Sequence, residues 1–408
     1  MPDTKNLPLN TPHSLPYSGL RMVEFTHMVM GPTCGMLFAD LGAEVIKVEP
    51  PKGDNTRRLL GSGAGFYPLF NRNKKSLVLD LKTPEGHEAA LKLIATADIV
   101  SHNFRPETMA AQGLDYETLK KLNPRLIYIA LKGFLPGPYE HRTALDEVVQ
   151  MMGGLAYMTG PIGQPLRAGS SVNDIMGGMF GAIAAMAALA QREKTGHGME
   201  VQSALFENNI FLVAQHMLQY AVTGEPAEPM PNRISAWAVY DVFTVKNGEQ
   251  IFLSAVSDKQ WTVFCDVLGF ADLKAHPAYQ NNNDRVRERV NLIPELRTRL
   301  EKYTAAELGD MFEKNGLPYA PIKRPQDLME DPHLLQSGGL APITLPDGQQ
   351  TRTVLLPFAM DGKRLGVRSN PPKLGEHSME ILRGLGYNAE QAGQLAALHV
   401  DAASPPAI

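Results

Sequence analysis

A chain of 408 residues, 44% hydrophobic and 20% charged, has ordinary globular composition and enough apolar material for two or three domains of about 100–200 residues each. A small stapled module, a disordered chain and a fibrous repeat are thereby excluded. Lys and Arg number 39 against 43 Asp and Glu, a net charge of −4, so the basic surplus typical of nucleic-acid binding is missing and small-molecule chemistry is expected. Cys34 and Cys265 are too few and too distant for a disulfide framework or a thiolate zinc site, which fits a reducing compartment.

The residues up to Tyr17 are polar and proline-containing, with no charged start leading into an apolar core. No secretory signal is expected, and a cytoplasmic location is. From there the chain alternates. A strand over 22–25, a loop ending in Gly31-Pro32, a helix through Leu41-Gly42 and a strand over 45–48 form a βαβ unit. Pro32 suits the first helical turn and Gly42 the helix end. A strand over 76–81, a helix over 84–95, a strand over 98–101, a helix over 116–121 and a strand over 126–131 follow. This pattern predicts an α/β fold with a doubly wound, mainly parallel, Rossmann-like sheet.

Two internal helices are expected, one after Asn173 to about Arg192 and one after Gln202 to about Val222. The most apolar stretch, 175–190, is glycine-interrupted and shorter than the roughly 20 residues of a bilayer span, so it reads as a buried helix and no membrane partner is expected. Pro226, Pro229, Pro231 and Gly224 mark 223–233 as a linker after a large domain over 1–222. Residues 234–322 read as a smaller α+β domain, with strands over 242–244 and 250–254 and helices over 259–268 and 285–303. The remainder, 323–408, has Gly348 at a hairpin and a strand over 354–358 and is expected to return to the large domain. The tail after His399 is of low complexity.

Common chemical motifs are missing. Gly61, Gly63 and Gly65 do not open a helix after a strand, so a dinucleotide site is not supported, and no Walker loop, zinc-protease His pair or nucleophile elbow occurs. Arg72, Lys74 and Lys75, beside Asn71 and Asn73, form a basic patch that suits phosphates or simply a solvated turn. Arg105 and Lys132 follow strands, where parallel sheets place ligands. Asp174 stands at the start of a glycine-containing helix, where it serves either as an N-cap or as a carboxylate held for nucleophilic attack. Gly177 and Gly178, one turn on, are each costly by about 1 kcal/mol in a helix, which points to a close approach by backbone or ligand. Asp146 is the second candidate carboxylate, with a helix-start cap as its alternative. His27, His102 and His141 are candidate bases or plain loop residues.

The order and spacing of several stretches resembles the class III coenzyme A-transferases, the CaiB/BaiF group that includes formyl-CoA transferase and carnitine CoA-transferase. They include Leu41-Gly42-Ala43-Glu44-Val45, Gly53-Asp54 with Arg57, Asn71-Arg72-Asn73-Lys74-Lys75-Ser76, Asn103-Phe104-Arg105-Pro106, Lys132-Gly133-Phe134 and Glu193-Lys194-Thr195-Gly196-His197-Gly198. The resemblance implies CoA transfer from an acyl-CoA to a free carboxylic acid by an interlocked homodimer, with Asp174 as nucleophile. Coenzyme A would be a substrate, with no tightly bound cofactor and no metal. It places the CoA site on Met28, Arg72, Lys75, Arg105 and Lys132, and His141, Arg142 and Arg167 are candidate contacts for the acceptor carboxylate. Leu145 stands where related racemases carry a histidine, which counts against racemisation. Val29 replaces the formyl-CoA transferase glutamine, and no glycine cluster occurs over 234–242, so formate-oxalate exchange is not implied. A racemase of the same superfamily and a non-catalytic CoA-binding protein are the alternatives.

Overall fold

The computed structural model describes residues 15–233 and 235–397. The start of the chain, Ile234 at the linker boundary and the tail after His399 lie outside them. The chain forms two compact units, 1–227 with 332–408, and 228–331.

The first unit is built on six parallel strands in the order β3-β2-β1-β4-β5-β6. They are β1 (Arg21–Phe25), β2 (Glu44–Glu49), β3 (Lys74–Val78), β4 (Ile99–His102), β5 (Ile127–Lys132) and β6 (Met199–Ala204). The connecting helices are α1 (Met30–Asp40), α2 (Phe66–Phe70), α3 (Pro84–Ile94), α4 (Pro106–Ala111), α5 (Tyr116–Leu122), α6 (Asp146–Met152), α7 (Leu155–Thr159), α8 (Val172–Thr195) and α9 (Leu205–Thr223). Successive strand residues point to opposite faces, and both faces are covered. Met22, Val45, Ile127, Ile129 and Leu131 pack with Phe38 of α1 and Ala182 and Ala185 of α8. Val23, Ile46, Val100 and Tyr128 pack on the other side with Leu93 of α3 and Leu119 of α5. Each such aliphatic burial contributes about 1.5–3 kcal/mol, which is why the apolar runs become the central strands.

The expected doubly wound sheet is therefore present, with local corrections. The run 79–81 leaves the sheet after Leu79 N–H bonds Glu49 O, because Thr83 caps α3 through Gly86 N–H. β6 carries no apolar strand signal in the sequence, since Glu200 and Gln202 give it the polar texture of an edge strand. α8 is long and apolar enough to cross a membrane by length and composition, yet it forms the crossover to β6 and lies against α1 and β5.

Beneath α1 the sheet is charged. Lys74 pairs with Glu24 at 2.8 Å, Lys47 with Asp54 at 2.9 Å and Arg57 with Glu49 at 2.6 Å, with all six side chains largely or fully buried. A Cβ on Gly35 would overlap Glu24 Oε2, so only glycine lets α1 cover this network.

In the second unit, β7 (Val239–Thr244), β8 (Gln250–Ala255) and β9 (Tyr319–Pro321) form an antiparallel sheet. It packs with α10 (Asp258–Leu268), α11 (Ala271–Ala275), α12 (Asn282–Arg287), α13 (Arg289–Leu300) and α14 (Ala305–Lys314) around Phe243, Leu253, Phe264, Leu296 and Phe312. The helix expected over 285–303 is broken at Glu288, the boundary between α12 and α13.

The chain then rejoins the first unit through α15 (Pro332–Gln336), the hairpin of β10 (Leu340–Thr344) and β11 (Gln350–Val354), the short pair β12 (Ala359–Met360) and β13 (Lys363–Arg364), α16 (Ser378–Gly384) and α17 (Ala389–Ala397). Gly348, with φ +94°, makes the tight return of the hairpin. The strand pairing ends at Val354, so 354–358 is not a strand of its own. His377 N–H bonds Ser76 O, and Ser378 Oγ accepts from Val78 N–H, which covers the outer edge of β3.

Candidate active site

The strand order reverses between β1 and β4, whose carboxyl ends pair through Phe25 and His102. Open parallel sheets bind ligands at such a reversal, outside the carboxyl ends. Here the loops 26–29 and 103–105 are clamped together. His27 N–H donates to Asn103 Oδ1 at 3.0 Å, Asn103 Nδ2 donates to His27 O at 2.8 Å, and the His27 ring stacks on Phe104 at 5.0 Å. Met28 sits beside this clamp with φ +62°, a left-handed conformation that non-glycine residues adopt only where surroundings impose it. Its side chain is exposed. Arg105 is also exposed and donates to Thr143 Oγ1 at 2.9 Å, without an ion pair among the described residues. Lys132, at the end of β5, pairs with Glu140 at 2.7 Å.

At the carboxyl ends of β1, β2 and β3 lies an apolar cavity of about 240 Å³, lined by Phe25, Val48, Leu79, Leu81, Phe104 and Met109, with Lys82 on its wall. Sequence reasoning missed it. The available signal was Phe104, an exposed aromatic directly before Arg105.

The basic patch is not part of this edge. Strand β3 begins at Lys74, so Arg72 and Lys75 sit at the amino end of a parallel strand, opposite the ligand edge. Arg72 is 1% exposed and forks onto Asp40 at 2.6 Å. Lys75 lies between Glu44 at 2.9 Å and Glu380 at 2.7 Å. Both are engaged by carboxylates within the fold, and the CoA contacts implied for them are corrected on that ground.

Asp174 is not an N-cap. Ser171 holds that position, and Asp174 is the third residue of α8. Its carboxylate is half-buried and has no hydrogen bond or ion pair among the described residues. Burial, reinforced by the charges of Asp146 and Glu147 and opposed by Arg167, pushes it up to about 7. The N–H groups at the start of α8 that could stabilise its ionised form are occupied: those of Asn173 and Asp174 both donate to Asp146 Oδ1, at 2.8 and 3.2 Å. They are equally unavailable to an oxyanion. Asp146, the second candidate carboxylate, is thus the side-chain cap of α8.

Gly177 and Gly178 explain how Asp174 reaches the site. A Cβ on Gly177 would lie 2.5 Å from Met30 Cε, and one on Gly178 would lie 2.5 Å from Met30 O. Without side chains, the first turns of α8 close onto the start of α1, and Ile175 packs with the Val29 cluster. The turn that Asp174 opens therefore lies against Val29 and Met30, the residues that follow Met28.

The candidate acceptor contacts do not form one cluster. His141 faces Glu107 at 3.4 Å, Arg142 lies over the Tyr139 ring at 5.0 Å, and Arg167 pairs with Glu147, placing only Arg167 in the electrostatic environment of Asp174. His27 is pushed down by burial, and His102, buried on the opposite face against Tyr128, is pushed down to about 4. Neither is charged at neutral pH. Among the described residues, no three His, Cys, Asp or Glu gather as a metal-binding group.

Residues 17–378 match the model of CoA-transferase family III. A succinate--glutarate CoA-transferase of Agrobacterium fabrum is 34% identical over 91% of this chain and 96% of its own length. A succinyl-CoA--D-citramalate CoA-transferase of Chloroflexus aurantiacus is 32% identical over 91% and 94%. The crystal structure of a CaiB/BaiF family protein from Brucella suis superposes with a TM-score of 0.82 at 32% identity, covering 91% of this chain and 99% of that one.

Proposed function

The chain belongs to CoA-transferase family III and is a CoA-transferase, and from that premise we propose that it moves CoA between short carboxylic acids through a thioester on Asp174. Succinyl-CoA is the proposed donor and a five-carbon dicarboxylic acid the proposed acceptor, following the substrates named for the two relatives. The Asp174 carboxylate attacks the thioester carbonyl and the C–S bond breaks, giving a mixed anhydride and CoA thiolate. The thiolate attacks the aspartyl carbonyl of the anhydride, forming aspartyl-CoA and releasing the donor as its carboxylate. The acceptor carboxylate repeats both steps in reverse and restores Asp174.

The observation that carries this reading is a half-buried carboxylate without a partner among the described residues, on the helix turn that packs against the start of α1. Its raised basicity makes the ionised form a better nucleophile. The adenine suits the apolar cavity, the phosphates suit Arg105 and Lys82, and the pantetheine arm would run past Met28 towards Asp174. Leu145 in place of a histidine supports transfer over racemisation. A homodimer is part of the proposal. Phe211, Leu218, Tyr220 and Val222 of α9, with Ile183 of α8, are exposed apolar residues that a second copy would bury.

Incubation with succinyl-CoA, followed by peptide mass analysis, should give a labile CoA adduct on the Asp174 peptide, lost in Asp174→Ala and Asp174→Asn. Turnover without any adduct, or with one elsewhere, overturns the assignment. Sedimentation should give a dimer that Leu218→Glu dissociates, and a wild-type monomer at micromolar concentration refutes the dimer.

A further inference from the structure

Two buried polar residues beside the nucleophile take no part in the steps above. Asp146, the first residue of α6, is 5% exposed, and Gln150, one turn later, is fully buried. Asp146 Oδ2 accepts from Gln150 Nε2, and Gln150 Oε1 accepts from Ala168 N–H at 2.8 Å. With the two bonds from Asp146 Oδ1 to the N–H groups of Asn173 and Asp174, a buried chain runs from the segment preceding α8 to the backbone of the nucleophile itself.

Capping alone does not require this arrangement. Burying a carboxylate is costly, whereas a serine hydroxyl caps a helix without that cost. A serine already stands at the cap, Ser171, and its side chain makes no capping bond. A charged cap beside an idle neutral one indicates that the charge is used.

We propose that Asp146, oriented by Gln150, is a positioning residue for Asp174: it fixes the first turn of α8, withholds that turn's N–H groups from the nucleophile and keeps a negative charge next to it. This rests on the reading of Asp174 as the covalent nucleophile. The charged groups acting on Asp174 are Asp146, Glu147 and Arg167. Removing the Asp146 charge therefore shifts the titration of Asp174 to lower pH, while removing Gln150 leaves the charge in place and loosens only the geometry.

The test is the rate of adduct formation from succinyl-CoA between pH 5 and 9 for wild type, Asp146→Asn and Gln150→Met, with CoA affinity and circular dichroism measured alongside. Asp146→Asn is expected to keep CoA affinity, to lose about 10-fold or more in plateau rate, and to move the midpoint of the profile to lower pH. Gln150→Met is expected to lose rate at an unchanged midpoint, and it decides the matter if Asp146→Asn does not fold. A wild-type rate in Gln150→Met, or a folded Asp146→Asn with the wild-type midpoint, overturns the proposal. A wild-type protein that forms no Asp174 adduct instead overturns the covalent reading on which it stands.

Discussion

Gly178→Ala is the most direct probe of how the fold delivers the nucleophile. The new methyl would lie 2.5 Å from Met30 O and 2.6 Å from Thr33 Cβ, about 1 Å inside ordinary contact with atoms that include backbone. Overpacking costs typically 1–3 kcal/mol, with the upper end expected where a carbonyl cannot rotate away. Better helix propensity returns about 1 kcal/mol, so the net loss is about 2 kcal/mol. To relieve the clash, α8 must move from α1 by up to about 1 Å and carry Asp174 with it, and a misplacement of that size can cost about 100-fold in rate. Urea denaturation measures the first quantity and adduct formation from succinyl-CoA the second. Gly384→Ala, at a helical position with nothing within 4 Å, is the control and should be neutral or slightly stabilising. A Gly178→Ala variant with wild-type stability and wild-type rate would refute the close-approach account.

Asp174→Asn tests the electrostatics. A carboxyl raised from 3.8 to about 7 makes the folded state lose stability as pH climbs through that window, because the unfolded chain releases its proton more readily. The variant should therefore match wild type near pH 3.5 and exceed it at pH 8, by roughly 1–3 kcal/mol in urea melts; equal stabilities at pH 8 would refute the raised value. Adduct formation by wild type should fall as pH drops below about 7. Arg72→Ala strands the buried Asp40 carboxylate and should destabilise by about 3–5 kcal/mol. Arg105→Ala should leave stability unchanged and weaken CoA binding about 10-fold or more, less so at high salt. The reverse pattern would return the basic patch to the ligand.

Much of the fold was legible in the sequence because its signals are local. Met22-Val23-Glu24-Phe25 and Ile127 to Leu131 are apolar enough to be covered on both faces, and Thr83-Pro84 and Gly196 punctuate helices wherever they fall. β6 escaped because an edge strand does not need that apolar run. Asp174 could be singled out because a carboxylate before two helical glycines is unusual in itself. Its surroundings could not be read the same way. Whether Asp146 or Ser171 caps α8 depends on α6 lying against α8, a contact between distant parts of the chain.

The cations show the same division. Arg72, Lys75 and Arg105 each stand at or next to the end of a strand, and the sequence alone determined that much. Only the tertiary structure decided that Arg72 and Lys75 meet Asp40, Glu44 and Glu380 at the amino edge, while Arg105 stays exposed at the carboxyl edge. A parallel sheet separates its two edges by the full length of its strands, and the choice between ion pair and ligand contact follows from which edge a residue occupies and which carboxylates the fold has brought there.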